Sequence, residues 1–141
     1  MAYSTSLKEI AQAILAILDE DTTLGLRANY LGHTSKIPTY PATTVQAIDI
    51  DREIGGTHKF KLEFAHEVLI HYCKVGSRED NEAAILQLID DVTALLATDR
   101  TLGGKVIFSL VSNAKVVDIA RGSVMIRGAL LSIASLSRET F

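Results

Sequence analysis

The sequence predicts an α+β fold: a four-stranded, mainly antiparallel sheet with two helices packed on one face, in the order α-β-β-α-β-β, and a long β-hairpin arm. Three observations predict it. Segments beginning near Leu7 and Ser77 repeat apolar residues at three- and four-residue spacing, the period of a helix with one buried stripe. The segment from Lys59 to Tyr72 alternates apolar and polar residues, the period of a half-buried strand. A last segment, about 122–136, is apolar at both parities, as a strand covered on both sides or central in its sheet must be. With 141 residues the chain is expected to form one domain.

The first helix is predicted over 7–20. Ser6 and Glu9 form a capping box, and Leu7, Ile10, Ala11, Ile14, Ile17 and Leu18 make its apolar stripe. Asp19, Glu20 and Asp21 oppose the negative end of the helix dipole and mark its stop. Residues 22–43, with Gly25, Gly32, Pro38 and Pro41, read either as a functional or partner-ordered loop or as a surface connection with a short strand near Arg27–Leu31.

Thr44–Ile50 leans to β structure, and Gly55-Gly56 marks a turn. In the next strand Phe60, Leu62, Phe64, Val68, Ile70 and Tyr72 share one parity, broken only by His66; Lys59, Lys61, Glu63, Glu67 and His71 share the other. Fifteen such residues reach about 50 Å, whereas a globule of this length is about 37 Å across. The 48–64 hairpin therefore projects as an arm, or the strand bulges near Ala65-His66.

Ser77 is expected to cap a second helix that ends near Thr98, with Glu79, Asp80 and Glu82 in its first turn and Ile85, Leu88, Ile89, Val92, Leu95 and Leu96 as its stripe. Leu102-Gly103-Gly104 turns into a strand at about 105–112, with Val106, Phe108 and Leu110 on one face. The last strand carries Val124, Ile126 and Leu130 on one face and Met125, Ala129, Leu131 and Ile133 on the other. With both helices on one side, the second face of the sheet lacks a partner within the chain, and Leu131, Ile133, Leu69 and Cys73 are expected to populate it. Curvature, the long loop or another subunit would cover it.

Apolar residues make up 48% and charged residues 22%, which excludes a disordered chain, a coiled coil and a collagen-like repeat. A net charge of −3 supplies no basic footprint for nucleic acid. The longest N-terminal apolar run, Ile10–Leu18, is too short for a membrane span and lacks the cationic lead of a signal peptide, so a soluble protein of a reducing cytoplasm is expected. Residues 78–100 carry six acids and two arginines, and residues 101–141 five bases and two acids. Patches of opposite sign suit head-to-tail association that closes into a ring, or they neutralise one another within one monomer.

No constellation carries chemistry. His66 and His71 have opposite parity and point to opposite faces; His58 and His66 share parity but lie about 26 Å apart; His33 stands alone. Cys73 cannot form an internal disulfide and reads as a small buried hydrophobe. Asp90-Asp91 are neighbours on a helix rather than a facing carboxylate pair, and no phosphate loop or nucleophile elbow occurs. Neither catalysis nor a cofactor or metal is expected.

The layout resembles the tail terminator (tail-completion, head–tail joining) proteins of long-tailed bacteriophages. The features that carry this are the N-terminal amphipathic helix leading to Tyr40-Pro41-Ala42-Thr43-Thr44-Val45-Gln46, the hairpin ending in Glu67-Val68-Leu69-Ile70-His71-Tyr72, and the turn Asp99-Arg100-Thr101-Leu102-Gly103-Gly104-Lys105-Val106 before the final strands. The similarity spans nearly the whole chain and extends to neck and tail-tube families. It implies a structural virion protein in the tail or neck, assembled in the host cytoplasm. Such proteins form a ring, usually hexameric, that stops tube growth and offers a surface to the head. The implied partners are further copies of itself, the tail tube protein and a head-completion or neck protein, with no membrane and no sequence-specific nucleic acid, DNA passing through the lumen. Arg52, Glu53, Lys59, Lys61 and Glu63 would then line the lumen or meet the tube. Another neck, adaptor or tube component is the alternative; a small enzyme or ligand-binding domain with its site in the 22–43 loop is a third reading.

Overall fold

A computed structural model describes residues 6–32, 40–56, 59–78 and 81–140; for 55, 56, 59, 60, 139 and 140 it is the backbone course that is described. The architecture is α+β, with two helices and a five-stranded mixed sheet of order β1-β2-β3-β5-β4. Helix α1 spans Leu7–Glu20, and the Ser6 hydroxyl accepts from the Glu9 N–H, satisfying one orphan donor of its first turn. Ile10, Ala11, Ile14 and Leu18 are buried along its expected stripe.

The fifth strand is β1, Ala28–Leu31, parallel to β2, Ala42–Gly56, with Ala28 level with Ala42. Four residues are too few to show a period, so the sequence leaves this strand as one of two readings. Strand β3, Lys59–Lys74, pairs antiparallel with β2 and, on its other side, with β5, Val124–Thr140. Strand β4, Phe108–Arg121, pairs antiparallel with β5 and closes the order.

The hairpin differs from the expected arm. Strand β5 pairs with β3 from Lys74 to Lys59, so the hairpin is backed by a third strand over its full length. The bulge near Ala65-His66 belongs to the partner strand: Ala47 pairs with His66 and Asp49 with Ala65, which leaves Ile48 as the extra residue. Strand β2 also runs through Gly55-Gly56, so the reversal comes after that doublet. Tyr72 and Ser112 are the extra residues at two further register shifts.

Helix α2 spans Glu82–Ala97, shorter at its start than expected. Asn81, not Ser77, caps it, its side chain accepting from the Ala83 and Ala84 N–H groups. Ser77 instead closes a turn onto the Lys74 carbonyl. Glu79 and Asp80 lie outside the described residues. The strand expected at 105–112 begins later and runs to Arg121, joined to β5 by the two-residue turn Gly122-Ser123. Val106 lies before it and is buried, while Phe108 and Leu110 are exposed.

Both helices pack on one face of the sheet. Their buried residues share a core with Val45 of β2, Leu62, Phe64, Val68 and Ile70 of β3, and Ala129, Leu131 and Ile133 of β5. Leu131 and Ile133 are thus under the helices, not on the second face as expected, because β5 meets β3 with Leu131 level with Val68. Cys73 is also buried, the Tyr72 bulge having shifted it level with Arg127 on the helix side. Leu69 is the one residue of that expected set left on the second face.

Candidate functional site

The second face of the sheet is the candidate site, and the register determines what stands on it. Residues Lys61, Glu63, Ala65, Glu67 and Leu69 of β3 have the parity opposite to the core. Opposite them on β2 stand Glu53, Asp51 and Asp49, level with Lys61, Glu63 and Ala65. On β5 the same rows continue with Arg138, Leu136 and Ala134, and on β4 with Phe108 and Leu110.

Of the five residues singled out in the sequence, three meet here. Glu53, Lys61 and Glu63 share the face, and Lys61 Nζ lies 3.1 Å from Glu63 Oε1. Arg52 is level with Leu62 and belongs to the opposite face. Lys59 lies on β3 level with Gly56, and its side chain is outside the described residues. Sequence reasoning missed Asp49 and Asp51. Asp51 stands directly across from Glu63, a like-charge relation that is unfavourable, and the Glu63 carboxylate is paired with Lys61 beside it. The period-two run Ile48-Asp49-Ile50-Asp51 is the signal that could have found them.

Phe108 and Leu110 complete a shallow groove whose acidic and basic wall is Asp49, Asp51, Lys61 and Glu63 and whose apolar wall is Phe108, Leu110, Ala134 and Leu136. The Arg100 guanidinium lies 5.3 Å from the centre of the Phe108 ring and fixes that edge of the wall. Arg100 is itself held by Ser109, whose hydroxyl donates to the Arg100 carbonyl at 2.9 Å. The face therefore changes from charged to apolar across the strands, a composition suited to another protein surface.

His66 and His71 lie on opposite sides of the sheet and both are buried. His66 Nε2 donates to the Leu7 carbonyl, and burial is the main reason its pKa falls below the ordinary histidine value, the hydrogen bond acting against it. His71 Nε2 lies 3.5 Å from the Thr44 hydroxyl. His33 and His58 are outside the described residues. Among the described residues no three His, Cys, Asp or Glu side chains cluster as metal ligands, and no helix is long and apolar enough to cross a membrane. A second, wider groove lies where Leu24, Arg27, Tyr40 and Pro41 of the 22–43 segment approach Tyr72–Lys74 and α2. Among the described residues Arg127 links the two charge patches, its Nη2 bonding Glu82 of α2 at 2.6 Å, while its Nη1 bonds Asp118 of its own patch at 3.3 Å.

No protein-family model matches the chain, and no curated protein matches it. What the face can do is therefore argued from its own residues.

Proposed function

We propose that this chain is a structural virion protein whose copies form a ring, hexameric in the family it resembles, that caps a phage tail tube, ends its polymerisation and offers the head-joining surface. Its place in this reading is the tail or neck of the virion, after assembly in the host cytoplasm. The observation that carries the reading is the sheet itself: both helices cover one face, and the end of the other face that carries Asp49, Asp51, Lys61, Glu63, Phe108 and Leu110 presents charged and apolar rows outward. Such a face is a surface for assembly. Partners under this reading are further copies of the chain, the tube protein and a head-completion protein; catalysis, cofactors and a membrane have no part in it. The supporting role of the resemblance lies in the chain order and in the strand that follows Tyr40-Pro41.

The test adds the protein to the major tube protein encoded in the same genome, during polymerisation, and measures tube length by electron microscopy. Short tubes with a ring at one end are expected. Incorporation along the tube would instead indicate a tube component, and a ring that binds only the head connector would indicate a neck adaptor. Reversing Lys59 and Lys61 to glutamate is expected to impair capping; a folded double variant that still caps removes those residues from the tube contact.

A further inference from the structure

We propose that two copies of this chain join through opposite edges of the sheet, the outer edge of β4 pairing antiparallel with the 46–56 edge of β2 in the next copy. This rests on the self-assembly part of the preceding reading and names the surfaces that would carry it. Strand β1 covers β2 only from Ala42 to Val45, and from Gln46 to Gly56 no described strand lies beyond it. Strand β4, fourteen residues long, is likewise last in its sheet. Long edges of this kind are templates for another strand. Both are also apolar in places: Ile48 is 48% exposed and Ile54 78%, against 42% for Phe108 and 40% for Leu110.

Direction and charge select the pairing. Strands β2, β3, β5 and β4 alternate in direction, so β2 and β4 run oppositely. Copies repeated in one orientation then meet with β4 antiparallel to β2, and the sheet continues without a break in its pattern. The second face continues too. On that face β2 carries Asp49, Asp51 and Glu53, while β4 carries Lys115, level with Leu130. Asp118 of β4 has the other parity and is already bonded to Arg127. Head-to-tail joining thus sets acids against Lys115, whereas two-fold pairing of β2 with β2, or β4 with β4, sets like charges together. A heterologous contact of this kind closes into a ring where the rotation allows.

The experiment is native mass spectrometry over a range of concentrations on wild type, Lys115→Glu, Asp51→Lys and an equimolar mixture of the two variants. Circular dichroism confirms that both exposed substitutions leave the fold intact. Wild type should form a closed oligomer, and each variant should need about tenfold more protein, or higher, to do so. The mixture should recover assembly with the two variants in equal numbers, because each reversed edge then faces its complement. Wild type that stays monomeric at every soluble concentration overturns the proposal, as do variants that assemble normally or a mixture that stays dissociated. Recovery when one variant meets wild type alone indicates two-fold pairing and also overturns it. The capping reading is separate: variants that lose edge pairing but still shorten tubes leave it standing, and wild-type rings that never shorten tubes remove it alone.

Discussion

His66 Nε2 lies 2.9 Å from the carbonyl oxygen of Leu7, so one side-chain hydrogen bond ties the middle of β3 to the first turn of α1. A carbonyl only accepts, so this nitrogen carries the proton, and Nδ1 is left buried without a partner. Charging the ring would place a cation in that buried site, which is why its pKa lies below the ordinary 6.5.

The pH dependence follows. Below the unfolded-state value the unfolded chain binds a proton that the folded chain resists, so stability present above about pH 6.5 is lost as the pH falls through the lowered folded value. Thermal melts between pH 8 and pH 5 should show this loss. His66→Gln retains a donor without the titration and should flatten the profile in that range, while His66→Leu should lose roughly 1 kcal/mol at pH 8. An unchanged profile in His66→Gln would assign the pH dependence to other groups.

Leu102 is buried although its φ is 50°, a left-handed conformation that a leucine adopts at a cost. The turn that holds it is built on Asp99, whose carboxylate accepts from the Thr101 hydroxyl at 2.8 Å and the Gly103 N–H at 2.8 Å. Those bonds, the Thr101 hydroxyl first, hold the Asp99 carboxyl below its ordinary range. Leu102→Ala should cost about 2–5 kcal/mol in chemical denaturation by emptying a core position. Asp99→Ala should release the turn and lower the melting temperature at neutral pH. Its difference from wild type should shrink as the pH drops through the carboxyl's lowered value, because the wild-type carboxylate is then protonated too.

Gly128 stands level with His71, just before the Tyr72 bulge. A Cβ at this position would run into the Ile70 carbonyl oxygen, a backbone atom with no rotamer to relieve it. Gly128→Ala should therefore destabilise more than a surface Gly→Ala substitution and move the melting temperature by many degrees, whereas Gly122→Asn, at a positive φ in an open turn, should be tolerated. Equal effects at the two positions would contradict this packing.

Periodicity made the two helices and β3 legible, because each buries one face and a buried face must repeat. Leu7–Glu20 lies where its stripe and capping box place it. The parts that were missed depend on pairing. Leu131 and Ile133 were assigned to the wrong face because β5 is apolar at both parities, and only the Val68–Leu131 register decides between them. The second half of β4 was left out because Ala114–Ala120 carries no strong alternation; it is a strand through its ladder to β5, and the Gly122-Ser123 hairpin turn was its sole local sign. At the site, Lys61 and Glu63 were visible as an alternating charged row, but their meeting with Asp51 needed the Ile48 bulge, which resets the register of β2 by one residue.

That register leads to a prediction about the second face. Leu110 is 40% exposed there, while Leu131, level with Val68 beneath the helices, is fully buried. Leu131→Glu should unfold the protein, since it sets a charge beneath both helices. Leu110→Glu should leave monomer stability within about 0.5 kcal/mol of wild type, as exposed substitutions generally do. It should nevertheless abolish self-association or tube capping, because it places a carboxylate on the apolar wall opposite Asp49 and Asp51. Sedimentation velocity on the folded Leu110→Glu variant tests the first and tube length in its presence tests the second: wild-type assembly together with wild-type capping would remove this apolar wall from both contacts.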